Sequence, residues 1–236
     1  MTCSDRFGVA WRPELAAGLL SHPEHVDVTE IMLEHVAASQ PREQRAFRTL
    51  CAQLPVWVHG TTLGAAGVCG VSSAAAERCA RVVNRVQPAG WSEHLAFVRA
   101  GGVEIGHLAA PPRTAASVEV TAQNLRAVAA VVGAMPLVEN VATLVVPVGS
   151  TLTEPEWLRG VVELSGAGLL LDLHNLYSNA VNEGEDATAR LLALPLDRVR
   201  QLHIAGGRWV GPRGRERRLD DHLHPTPTEV FDLLET

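Results

Sequence analysis

The chain has 236 residues, of which 47% are hydrophobic and 19% charged, and its formal net charge is −6. Such a composition supports a sizeable core and excludes a disordered or fibrous chain, while the acidic balance argues against a nucleic-acid partner, whose affinity would come from basic groups on phosphates. All 20 cationic residues are arginine, which excludes lysine Schiff bases, lysine general bases and the Walker-type phosphate lysine together.

Cys3, Cys51, Cys69 and Cys79 show no C-x-x-C spacing and read as reduced thiols. Neither a signal sequence at 1–8 nor an apolar run of about 18 residues is visible, so a cytoplasmic protein without a membrane span is expected.

Short β-rich apolar runs alternate with longer alanine- and leucine-rich segments, the pattern of repeated βα units around a parallel sheet. In chain order the spacing predicts a strand at 7–11, a helix at 13–21 opened by Pro13, a strand at 26–32, a helix at 41–53 and a strand at 56–60. A helix at 72–87 capped by Ser72, a strand at 92–98, a helix at 114–133, a strand at 135–140 and a helix at 154–165 follow. The series closes with a strand at 169–175, a helix at 186–194, a strand at 199–205 and a helix at 228–235 behind Pro225 and Pro227. Two connections, 99–113 and 206–224, are long, and long loops on a barrel usually carry binding. With no composition break, residues 1–236 read as one α/β domain, a TIM-type (β/α) barrel.

The chemistry-bearing residues recur at the carboxyl ends of predicted strands: His59; Glu93 and His94; Glu139 and Asn140; Asp172, His174 and Asn175; and His203. Barrel geometry brings those ends to one face. Singly, each has an ordinary alternative: a strand-end histidine is more often a buried, hydrogen-bonded side chain, and Glu139 could pair with an arginine. Glu139 and Asp172 each follow an apolar run, however, and a shared divalent metal would partner both buried carboxylates at once. In the loop after the last predicted strand, Asp220 and His222 stand two apart and could chelate from an extended segment, or form a polar loop and helix cap. Imidazole and carboxylate donors without thiolate point to iron, zinc or manganese. The arginines at 208, 213, 215, 217 and 218 could hold an acidic peptide by forked hydrogen bonds, or be a solvated basic loop.

The segments Gly-Val-Ala-Trp11-Arg12-Pro, Val-His59-Gly, Ser92-Glu93-His94-Leu-Ala-Phe97, Glu139-Asn140, Leu-Asp172-Leu-His174-Asn175-Leu-Tyr177, Leu-His203-Ile-Ala-Gly206 and Asp220-Asp221-His222 together resemble the multinuclear non-heme iron-dependent oxidases, relatives of the iron oxidases of methanobactin maturation. The resemblance covers nearly the whole chain, in order. It implies a barrel of the endonuclease-IV and xylose-isomerase kind, two or three iron ions (with zinc or manganese as substitutes), dioxygen as co-substrate, and oxidation of cysteine or a neighbouring residue in a ribosomally made precursor peptide. A small partner protein that presents the peptide is implied too.

Carried over residue by residue, it implies metal ligands at His59, His94, Glu139, Asp172, Asn175, His203, Asp220 and His222. His174, Glu93 and Asn140 are left as ligands or supports of ligands, and Arg208, Arg217 and Arg218 as substrate contacts. Related barrels carry an eighth strand with a further glutamate, and this sequence stops before one, so an incomplete barrel is expected. The alternatives are a metal-dependent phosphodiesterase or sugar isomerase on the same barrel, and an inactive peptide- or metal-binding scaffold.

Overall fold

The computed structural model describes residues 5–236; Cys3 lies outside them. In chain order the elements are β1 (Gly8–Ala10), α1 (Ala16–Ser21), β2 (Val28–Met32), α2 (Leu33–Ala38), α3 (Pro41–Gln53), β3 (Val56–Gly60), α4 (Ser73–Val86), β4 (Gly90–His94), β5 (Phe97–Ala100), β6 (Val103–Ala109) and α5 (Ala115–Val132). Then come β7 (Leu137–Glu139), α6 (Glu154–Ser165), β8 (Gly168–Asp172), α7 (Leu173–Glu183), α8 (Ala187–Ala193), β9 (Val199–His203), β10 (Gly207–Val210), β11 (Arg217–Asp220) and α9 (Thr228–Leu234). Seven strands form one sheet in the order β1-β2-β3-β4-β7-β8-β9, and every pairing in it is parallel.

Parallel strands covered by helices bury both faces and so carry continuous apolar runs. The Leu169, Leu170 and Leu171 run of β8 is fully buried in this way. Helix ends are fixed locally: Thr114 with Ser117, and Thr153 with Glu156, form capping boxes at the starts of α5 and α6. Gly133 and Gly166 end those helices in the left-handed conformation that glycine adopts without a Cβ clash. Gly90 has a different task, since a Cβ there would lie 2.4 Å from the Trp57 ring of the paired residue on β3. Only glycine leaves room for that indole.

The edge strands β1 and β9 do not pair with each other, so the barrel is incomplete, as expected. Val9, Leu202 and Ile204 at this seam are 40%, 43% and 40% exposed.

Several elements differ from the sequence expectation. The strand predicted at 92–98 is two strands, because β4 ends at His94 and β5 starts a separate hairpin with β6. The strand predicted at 169–175 stops at Asp172, whose Oδ1 accepts the Asn175 backbone N–H and caps α7. The short polar cap outweighed the apolar alternation that had looked like a continuing strand. The long connections 99–113 and 206–224 hold the hairpins β5–β6 and β10–β11. No helix is long and apolar enough to cross a membrane among the described residues.

Candidate metal centre

Parallel register lines up the strand ends. Ser92 pairs with His59, Glu139 with His94, and His203 with Asp172. Because side chains alternate along a strand, residues in register share a face, and one set of donors gathers in the barrel mouth. Glu139 sits at the centre: His59 Nε2 lies 3.2 Å and His94 Nε2 3.1 Å from its Oε2, while His203 Nδ1 is 3.1 Å from its Oε1.

The far side of each ring is held. His94 Nδ1 donates to the Gly60 carbonyl at 2.9 Å, His59 Nδ1 meets the Ser92 hydroxyl at 2.8 Å, and His203 Nε2 lies 3.1 Å from Glu30 Oε2. Since a carbonyl only accepts, neutral His94 must present a bare Nε2 lone pair to Glu139.

The donor set fits a cation. Both imidazoles lie within ion-pair distance of Glu139 Oε2, yet neither is aimed along a hydrogen bond to it. Glu139 Oε2, Asp172 Oδ2 and Asn175 Oδ1 are all buried acceptors without a hydrogen-bond donor among the described residues. Unpartnered buried oxygens of this kind are costly, and a divalent ion satisfies several together. Among the described residues the donor atoms of His59, His94 and Glu139 converge, as do those of Glu139, Asp172 and His203, and those of Glu30, His59 and His203. A fourth group, His22, Glu24 and His25, is exposed on the surface before β2.

Protonation follows the same geometry. Burial opposes ionisation of Glu139, but the surrounding imidazoles of His94, His59 and His203 hold its carboxyl well below the usual range. Burial, then the Glu139 charge, pushes Asp172 up to about 7. Burial lowers His94. His203 is raised well above its ordinary value because hydrogen bonds to Glu139 and Glu30 outweigh burial.

The remaining residues singled out in the sequence lie around this cup. Asn140 clamps Asp172 from both sides, accepting its N–H at 2.9 Å and donating to its carbonyl at 3.0 Å. Asn175 donates to the Asn140 carbonyl from the first turn of α7, a helix and not the strand expected there. Glu93 lies outside the converging groups. Its carboxylate accepts the N–H groups of His94 and Leu63 and so secures the loop after β3.

His174 is wholly buried on α7, with Nδ1 2.9 Å from Asp220 Oδ1, and His222 Nε2 is 3.1 Å from Asp220 Oδ2. Asp220 and His222 thus converge on each other, although through a left-handed His222 (φ 55°) and not an extended segment. Neither belongs to the converging groups above.

The arginines divide. Arg218 is buried, donates to the Gly207 carbonyl and lies 5.7 Å and 5.3 Å from the Tyr177 and Trp209 rings, an internal position and neither the substrate contact nor the solvated loop residue expected. Arg208 and Arg217 stay exposed on the β10–β11 hairpin.

Glu30 went unnoticed in the sequence. Its signal was a carboxylate inside the β-rich run Val28-Thr29-Glu30-Ile31, where an unpaired charge is out of place.

The seven-stranded parallel sheet with its helices is an open (β/α) barrel of the endonuclease-IV and xylose-isomerase-like kind. Solved structures agree on the fold. Endonuclease IV from Thermus thermophilus superposes with a TM-score of 0.56 at 20% identity, over 93% of this chain and 82% of that one. D-psicose 3-epimerase from Clostridium cellulolyticum, with D-tagatose, gives 0.57 at 12% identity, over 89% and 77%.

The family described as RiPP precursor modification enzyme MbnB/TglH/ChrH matches residues 6–236, and the chain belongs to it. Similar curated proteins carry the name UPF0276 protein. That of Streptomyces avermitilis is 35% identical over 242 residues, covering 96% of this chain and 47% of its own length. Those of Rhizorhabdus wittichii and Caulobacter vibrioides are 32% and 30% identical, over 90% and 98% of this chain and 75% and 81% of their own. The chain therefore spans about half the length of the Streptomyces relative.

Proposed function

We propose that this chain is the metal-binding barrel of an iron-dependent, dioxygen-using oxidase that modifies cysteine, or a neighbouring residue, of a ribosomally synthesised precursor peptide. The observation that carries the reading is Glu139, one buried carboxylate facing His59 and His94 with one oxygen and His203 with the other. His59, His94 and Glu139 would hold one ion, and Glu139, Asp172 and His203 a second. Zinc or manganese would accept the same donors, so the assignment of iron rests on the family. Bound iron would supply dioxygen activation and a site for the substrate thiolate.

The chain's own residues have three tasks. His94 Nδ1 and His59 Nδ1 are anchored so that each ring keeps its Nε2 on the cup. Asn140 and Asn175 lock the ends of β7 and β8 together and hold Asp172 in place. A cleft lined by His94, His107, Thr143, Leu144, Asn175 and Asp220 among others opens onto the cup between the two hairpins. Its rim exposes Leu144, Val145 and Val146 to an incoming chain. Arg208 pairs in register with the cleft-lining Leu219, and Arg217 lies two residues along the same face, where both could engage acidic peptide residues. A small peptide-presenting partner protein belongs to the same reading.

The test is anaerobic loading with iron(II), metal analysis, then aerobic incubation with a cysteine-bearing precursor peptide, read by mass spectrometry. A mass change dependent on iron, dioxygen and Glu139 is expected. An unchanged peptide on an iron-loaded protein would indicate a binding scaffold, and cleavage of abasic DNA or epimerisation of a ketose would indicate the hydrolytic or isomerising alternative.

A further inference from the structure

Glu30 stands apart from the ligands read in the sequence, yet it touches the cup. Its Oε2 lies 3.1 Å from His203 Nε2 and accepts a 2.8 Å hydrogen bond from the Gln201 side-chain amide. We propose that Glu30 is a positioning residue for the second metal: it holds the His203 proton on Nε2 and so leaves Nδ1 bare toward Glu139 and Asp172. The inference rests on the two-ion reading of the cup.

The proton count carries the argument. A neutral imidazole has one N–H and one lone pair, and a metal takes the lone pair. His203 Nδ1 is on the Glu139 side, 3.1 Å from Oε1, so the proton of a ligating His203 must sit on Nε2. The Gln201 amide nitrogen, 3.3 Å from that Nε2, is a donor and cannot accept it; it donates instead to Glu30 Oε2 and steadies the acceptor. Glu30 therefore takes the carboxylate place in a carboxylate–histidine–metal arrangement.

The contact from Glu30 reaches the end of β9 across the barrel interior, from β2. Direct ligation by Glu30, in the group it forms with His59 and His203, is disfavoured because His59 Nε2 already faces Glu139 and its Nδ1 is engaged by Ser92.

The test is an anaerobic titration with cobalt(II), followed by visible absorption, on the wild-type protein and the Glu30→Gln, Glu30→Ala, His203→Ala and Glu30→Ala/His203→Ala variants. The expected result is one ion bound as in wild type and a second bound about 10- to 100-fold more weakly in Glu30→Ala. Glu30→Gln, which keeps the shape and an acceptor oxygen, should lose less. In a His203→Ala background, removing Glu30 should change nothing further, a pattern that general loosening of the fold would not give. Wild-type affinity for both ions in Glu30→Ala overturns the proposal. So does equal weakening of both ions, or a further loss in the His203→Ala background, which would mark Glu30 as a ligand in its own right. A wild-type protein that binds no cobalt(II) overturns the two-ion reading itself, an outcome distinct from unchanged affinities in the variants.

Discussion

His94 gives its Nδ1 proton to the Gly60 carbonyl and thereby turns a bare Nε2 onto Glu139 Oε2, 3.1 Å away. Two lone pairs facing each other in a buried space repel unless a cation lies between them. Metal uptake should therefore stabilise the fold, by about 4 kcal/mol at a thousandfold excess over Kd. Thermal unfolding with and without zinc(II) measures this. Glu139→Gln should lose the response and both ions, whereas His94→Ala should lose one ion and keep the other.

Glu93 gives a pH dependence whose sign is fixed by burial. Its carboxyl, enclosed and close to Glu34, is pushed up to about 8 despite the N–H groups it accepts. Between about 4.5 and 8 the folded protein thus binds more protons than the unfolded chain, and stability falls as pH rises across that window. The contribution is at most about 5 kcal/mol. Unfolding of the metal-free protein between pH 5 and 8 should show a shallower decline in Glu93→Gln than in wild type, and parallel curves would refute it.

The thiols should separate by burial. Cys79 is buried on α4 and its thiol is pushed up to about 12, chiefly by desolvation and then by Glu93, while Cys69 is exposed. Because the thiolate is the nucleophile, iodoacetamide at pH 8 should label Cys69 in the native protein and Cys79 only after denaturation. Peptide mapping reads the outcome. Native labelling of Cys79 at the rate of Cys69 would contradict the packing of α4.

The two kinds of arginine on the β10–β11 hairpin should respond differently. Arg208→Glu with Arg217→Glu should raise the KM for an acidic peptide about tenfold with kcat unchanged, and the effect should shrink with added salt. Arg218→Ala removes a buried guanidinium from between Tyr177 and Trp209, and should cost about 2 kcal/mol of stability instead. Steady-state kinetics at two ionic strengths and chemical denaturation distinguish the two.

The limits of the sequence show in particular residues. The bounds of β3, α3 and α6 were legible to the residue, because uninterrupted apolar periodicity and a Pro or Thr start leave little ambiguity. Residues 173–175 were misassigned, because Asp172 serves both as a strand end and as a helix cap, and only packing decides which residue ends the strand. The ligand candidates His59, His94, Glu139, Asp172 and His203 were legible as charged or imidazole side chains closing apolar runs. Glu30 was not, since it lies inside its strand and its partner His203 is 173 residues away.

By itself the sequence determined the alternation of strands and helices and the kinds of donor at the strand ends, because both are written in local periodicity. Tertiary structure alone decided that one Glu139 carboxylate faces three imidazoles, that Asp220 turns to His174, and that Arg218 goes inside. Those outcomes depend on register and on distances across the barrel, which no local pattern encodes.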